Sequence, residues 1–302
     1  MNRFFNDIKE SFKTGNFLTR LLYINAGIFI IVQLALLILQ FLNGPTAWVG
    51  YLEMPAFVPR ILEQPWSIIT YMFLHTSFVH AIFNLIALYY LGKLFLMYYN
   101  QKQLVAVYIW GGLAGALVYV MGFNLLPYFE PHKLNNYLLG ASASVMAILF
   151  AVVGYAPNNL IRLALIGQVQ LKYVGLGFLA IDLLGLGSVN PGGSMAHIGG
   201  AMMGFLFGYA YNRGTDLSKP ITSIIDWLVN HCHVSQPRKK FKVKVNQTQN
   251  MSDAQWNRQQ KEREKERQER IDLILEKIKK SGYQNLTDEE KKSLFDLSKK
   301  EQ

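Results

Sequence analysis

The chain has 302 residues, of which 51% are hydrophobic and 17% charged, with a formal net charge of +10 and a single cysteine. Those averages exclude both an ordinary soluble domain and a disordered chain, because they conceal two different polymers. Residues 1–212 carry ten basic and six acidic side chains, which leaves 20 of the 30 basic and 14 of the 20 acidic groups to the last 90 residues. A charged fraction of about 8% cannot solvate a globular surface of that size, whereas about 38% is too polar to bury much of a core. The reading is a cytoplasmic N-terminal segment (1–20), an all-α membrane domain (21–213) and a basic, largely helical cytoplasmic tail (214–302).

Runs free of Asp, Glu, Lys and Arg extend from Leu21 to Leu52, Gln64 to Gly92, Gln103 to Phe129, Leu134 to Ile161 and Leu183 to Asn212. Each exceeds the roughly 20 apolar residues that cross a bilayer as a helix. A weaker sixth candidate, Leu171 to Leu186, carries Lys172 and Asp182. Six helices are expected, at about 21–42, 67–92, 104–126, 138–156, 171–186 and 194–212. The first follows a basic N-terminus, but its apolar core is too long for a signal peptide and no small-residue cleavage pattern follows it.

Arg3, Lys9, Lys13 and Arg20 precede the first span, Lys93 and Lys102 lie between the second and third, Arg162 between the fourth and fifth, and Arg213 after the sixth. The opposite loops hold only Arg60 and Lys133, so the basic bias puts both termini in the cytoplasm. Cys232 then lies on the reducing side. The loop of residues 43–66 contains Pro45, Trp48, Tyr51, Pro55, Phe57, Pro59 and Trp66, a composition suited to a structure lying in the outer interface rather than a plain connector.

An unpartnered polar side chain costs several kcal/mol in hydrocarbon, so function is sought among the few polar groups inside the spans. The second span carries His75, His80 and Asn84; the fourth begins with Ser142 and Ser144 in GASAS; the sixth begins with His197 in AHIGGAMMG. On one continuous helix His80 and Asn84 share a face, and His75 points well away from His80. His197, Gly200 and Gly204 share a face, so an imidazole sits above a glycine groove that lets another helix approach and present a small residue such as Ser142. A serine, a basic imidazole and separate hydrogen-bond donors are the parts of a serine hydrolase. Each has a plainer use: a buried serine can bond its own helix, a lone histidine can relay protons or pack, and spaced glycines occur in many helix pairs. Asp182 is the solitary intramembrane carboxylate, and without HExxH there is no expectation of a metal or of any other cofactor.

Taken in order, PWSIITYMFLHTSFVHAIFNLIALYYLG (65–92), LGASASVMAILF (139–150) and AHIGGAMMGFLFGY (196–209) resemble the rhomboid intramembrane serine proteases. The resemblance covers the six-helix core and leaves out the tail. It implies a six-transmembrane-helix rhomboid-like bundle in a cell membrane, of the bacterial inner-membrane kind, and an endopeptidase that cuts in or near membrane-spanning segments of other proteins. It makes Ser142 the nucleophile and His197 the general base, a dyad with no acidic third member. His80, Asn84 and the Ser142 N–H would form the oxyanion hole. His75 would be structural, and Gly200 and Gly204 would let the sixth helix pack on the fourth. The chain departs from the family pattern at Ala143, where a glycine is usual, at Met146, where an aromatic ring usually lies beneath the histidine, and at Ser67, where an arginine is common. Ser144 lies two residues beyond Ser142 and faces roughly the other side of the helix.

In the tail, PRKKFKVKV (237–245) suits an anionic leaflet, at about 1 kcal/mol per basic residue near the surface. The tail's acids are interleaved with its bases, so nucleic acid is not an expected partner. A polar helix is expected over about Asp253 to Lys280, and Thr287 with Glu290 reads as a capping box opening a last helix through Leu294 and Leu297. This pair would be a solvated appendage or a docking module for an unknown cytoplasmic partner. Two other functions compete with proteolysis: a catalytically inactive rhomboid-like protein that binds membrane clients, and a proton-coupled transporter built on the intramembrane histidines.

Overall fold

The computed structural model describes residues 2–163, 167–187, 190–231, 253–282 and 287. It contains two compact units, Met1–Val234 and Ser235–Gln302.

The first unit opens with a short helix, α1 (Asn2–Thr14), that the charge pattern alone does not announce. Arg20 closes it, donating from Nε to the Phe12 carbonyl and from Nη2 to that of Lys13, so a cation meets the negative end of the helix dipole. Asn16 then caps α2 (Phe17–Phe41) through the Thr19 N–H. α2, α5 (Phe78–Phe95) and α6 (Gln101–Leu125) are long and apolar enough to cross a membrane, with mean hydropathies of 2.4, 1.5 and 2.0.

The segment between α2 and α5 is folded rather than slack. It comprises a 3₁₀ turn at Ala47–Tyr51, a two-residue strand β1 (Met54–Pro55) and the short helices α3 (Val58–Glu63) and α4 (Ser67–Thr70). Trp66 Nε1 donates to the Tyr51 carbonyl at 2.7 Å, Thr70 Oγ1 to that of Leu52 at 2.7 Å and Gln64 Nε2 to that of Glu53 at 3.1 Å. β1 pairs antiparallel with β2 (Tyr137–Leu138), joining this segment to the chain just before the fourth apolar helix.

The expected continuous second helix from residue 67 is corrected here. After α4 and a 3₁₀ turn at Tyr71–Phe73 the backbone is extended, and helix resumes only at Phe78. Neither glycine nor proline forces the break. The freed backbone groups find tertiary partners instead: the Met72 carbonyl accepts from Tyr108 Oη at 2.8 Å, that of Tyr71 from the Gly140 N–H at 2.9 Å, and that of Thr76 from Gln33 Nε2 at 2.8 Å.

α7 (Ser142–Tyr155) starts four residues later than the expected 138, because Tyr137 and Leu138 are committed to the β1 pairing. Residues Ala143 through Gly154 of α7 are all buried, as expected of a helix that is apolar all round. α6 and α9 (Pro191–Asn212) flank it, and α8 (Leu171–Gly185) lies against α7 and α9. Ile181, Leu183 and Leu184 of α8 and Met202, Phe205 and Leu206 of α9 are exposed, an apolar surface that water would not tolerate over such an extent.

Between α7 and α8 lies a hairpin, β3 (Leu160–Leu163) with β4 (Gly167–Gln170). After α9 an amphipathic helix, α10 (Lys219–His231), stays with the first unit through Trp110 Nε1 to the Leu217 carbonyl and Lys102 to Asp226 at 2.6 Å. The second unit contains α11 (Asp253–Ser281). Cys232, PRKKFKVKV, Glu290, Leu294 and Leu297 lie outside the described residues.

Candidate functional site

The site is built around the first turn of α7. Gly140 has φ +115, a conformation that L side chains rarely adopt, and a Cβ there would stand 2.7 Å from Cε1 of His80. The glycine thus turns the chain sharply into the helix and lets the His80 ring lie against the backbone two residues before Ser142. Ser142 is the first helical residue, so the N–H groups of the first turn have no intrahelical acceptors and point out of the positive end of the dipole. Ser142 is half-buried. Ser144 is 1% exposed, faces α6 and has a hydroxyl without a hydrogen-bond partner among the described residues.

A seam of glycines sets α9 against α7. A Cβ on Gly200 would lie 2.1 Å from the Ala143 carbonyl oxygen, on Gly204 2.2 Å from that of Ala147, and on Gly208 2.1 Å from that of Ala151. The advance is four residues on each helix, so the two run parallel in fixed register with backbones in contact. Ser142 lies one residue before Ala143 and His197 three residues before Gly200, so both lie toward the end of the pair at which α7 begins. Among the described residues no hydrogen bond joins Ser142 Oγ to His197, and catalytic hydrogen bonds are often long before substrate binds.

The helix break changes the histidine geometry. His75 lies in the extended stretch, not on α5, and its ring meets that of His80 edge-on with centroids 5.4 Å apart, contrary to the expectation that the two point apart. It is 1% exposed, and its Nε2 accepts the Ala141 N–H at 3.3 Å, which fixes the residue just before Ser142. Asn84 is buried one turn along α5 from His80 and donates one amide hydrogen to the His80 carbonyl at 2.9 Å. Met146 is buried in the main core. His75 and His80 are neighbours, yet among the described residues no three metal-ligating side chains gather.

One contact was not foreseen. Nδ1 of His197 lies 2.7 Å from Oδ1 of Asp182 on α8, with the aspartate side chain 10% and the histidine side chain 28% exposed. The resemblance implies a dyad with no acidic third member, yet a carboxylate lies against this histidine. The signal was present in the sequence: a lone carboxylate in an apolar helix requires a partner, and an intramembrane imidazole is a natural one.

Comparison with known proteins agrees in extent with this arrangement. The family profile described as Rhomboid domain matches residues 62–214, and a family of unknown function, DUF6576, matches residues 252–300. The chain is 27% identical over 145 residues to RHOMBOID-like protein 12, mitochondrial, of Arabidopsis thaliana, covering 45% of this chain and 43% of that one. It is 28% identical over 162 residues to Rhomboid-related protein 1 of Caenorhabditis elegans, covering 51% and 42%. It is 25% identical over 143 residues to Rhomboid protease GluP of Bacillus subtilis, covering 46% and 25%. The chain thus spans less than half the length of these curated relatives. With its domain profile matched across half of the chain and through every polar residue of the site, this membrane-embedded, mostly helical protein belongs to the rhomboid family.

Proposed function

We propose that this chain is an intramembrane serine endopeptidase, in which Ser142 attacks a peptide carbonyl in or near a membrane-spanning segment of another protein. His197 takes the serine proton and later returns it to the leaving amine. His80, the second amide hydrogen of Asn84 and the Ser142 N–H hold the oxyanion. The observation that carries this reading is the parallel glycine seam, which holds the helix that begins at Ser142 in backbone contact with the helix that carries His197. The name of one relative, Rhomboid protease GluP, points the same way.

In this reading α2, α5, α6, α7, α8 and α9 are six membrane helices, and the basic bias of the loops puts both termini in the cytoplasm. At 1.5 Å per residue the 14 residues of α7 reach only about 21 Å, short of a roughly 30 Å hydrocarbon core. Its N-terminus therefore lies below the outer surface, in a cavity open to water from the non-cytoplasmic side. Substrates are helices that unwind readily there. The basic tail contacts anionic headgroups or a cytoplasmic partner.

Purified protein in detergent, given a panel of membrane-spanning substrates, loses cleavage on Ser142→Ala and on His197→Ala; cleavage that survives either change defeats the assignment. An inactive client-binding relative is the second reading, favoured by Ala143, Met146 and the open Ser142–His197 pair. It predicts client capture that Ser142→Ala leaves unaltered.

A further inference from the structure

We propose that Asp182 is a positioning residue for His197, which gives this chain an acid–histidine–serine arrangement. The inference rests on the protease reading for its consequence, but not for the contact itself. The aspartate is 7% exposed on a helix whose neighbouring side chains Ile181, Leu183 and Leu184 are 67%, 59% and 82% exposed. A carboxylate turned inward on so apolar a helix has given up its hydration and needs a strong compensating partner. The 2.7 Å contact to Nδ1 supplies one, at a distance typical of a charge-assisted hydrogen bond.

The chemistry follows from the two ring nitrogens. An ionised carboxylate only accepts, so Nδ1 carries the hydrogen and donates it to Oδ1. The lone pair of the neutral ring is then confined to Nε2, the one nitrogen left to take the Ser142 proton. When the proton transfers, the imidazolium is held against a negative charge, and the ring cannot rotate to offer the wrong tautomer. In the serine protease template the equivalent carboxylate does this work, and its replacement by the amide costs about 10⁴-fold in kcat. Here the carboxylate comes from α8, so the base is set by a helix that provides neither the nucleophile nor the oxyanion donors. Among the described residues, His80 also interacts electrostatically with His197.

The test uses the full chain in detergent with a fluorophosphonate probe, whose phosphorus is attacked by Ser142 Oγ with loss of fluoride to leave a phosphonate ester. Asp182→Asn should lower the maximal rate of labelling on the order of 10²–10⁴-fold, with the half-saturating probe concentration and the unfolding temperature near wild type. Asp182→Glu, which restores the charge on a longer arm, should recover at least roughly tenfold of that loss. A folded Asp182→Asn protein labelled within about threefold of wild type overturns the inference, as does an Asp182→Glu protein no faster than the amide.

A second readout needs no activity. The ¹⁵N spectrum of histidine-labelled protein, with the His197 signals assigned by their absence in His197→Gln, should show a protonated Nδ1 and a bare Nε2 that Asp182→Asn abolishes. If wild type takes no label, the protease reading fails and this spectrum decides the inference alone. A bare Nδ1 in wild type, or a spectrum indifferent to Asp182→Asn, overturns it.

Discussion

Gly204→Ala puts one methyl group into the seam between α7 and α9. Its Cβ would stand 2.2 Å from the Ala147 carbonyl oxygen, a backbone atom that cannot swing aside, whereas an ordinary contact begins at about 3.4 Å. The two helices must therefore part by roughly 1 Å or more. Overpacking of this kind costs about 1–3 kcal/mol, offset by up to about 1 kcal/mol because alanine is the better helix former. The net loss expected is about 1–2 kcal/mol. The kinetic effect should be larger than the stability effect, since His197 lies on the same helix two turns earlier and a 1 Å misplacement of a reacting group can cost about 10²-fold. Gly177→Ala on α8 is the matched control, because a Cβ there meets nothing. Thermal unfolding in detergent and the labelling rate at Ser142 should both fall for Gly204→Ala and hold for Gly177→Ala. Two variants that behave alike would refute the claim that backbone contact along the seam fixes the register of serine and histidine.

Gly140→Ala combines a left-handed φ with a clash against His80, so it should destabilise by about 1–3 kcal/mol and suppress labelling even where the protein remains folded. Tyr71→Phe removes a buried 2.6 Å hydrogen bond to the Gly112 carbonyl and should cost about 1–3 kcal/mol in chemical unfolding. Asp226→Ala breaks an ion pair whose side chains are about half exposed, so less than about 0.5 kcal/mol should be lost, and less still in high salt. Burial holds the Glu53 carboxyl above its ordinary range. Ionisation therefore opposes folding, and Glu53 favours the fold below its unfolded pKa and loses that contribution as pH rises through the folded one. Glu53→Gln should accordingly unfold at a higher temperature than wild type at pH 7, with the difference gone near pH 4.

The long spans are legible because charge is so scarce before residue 213 that its gaps outline α2, α6 and α9 within a few residues. The interruption between Thr70 and Phe78 is not, since those residues include no charge, glycine or proline to mark a break. It exists because Tyr108, Gly140 and Gln33, all distant in sequence, supply the hydrogen bonds that an extended backbone needs. That break is also what brings His75 beside His80. Gly140 and Ser142 lie where a sharp turn into a helix is chemically natural, so the start of α7 is half visible in GASAS. The lone carboxylate marks the inward face of α8, but which of the intramembrane histidines it meets depends on how α8 packs against α9, which the sequence pattern does not give.

The central claim is that Ser142 is a nucleophile activated by His197. Its most direct measurement is the site of fluorophosphonate attachment, mapped by mass spectrometry of the purified full chain. A single adduct is expected on the peptide containing Ser142, absent in Ser142→Ala and slowed at least roughly 10³-fold in His197→Ala. An adduct at Ser144, or labelling of Ser142 that is indifferent to His197, would contradict it.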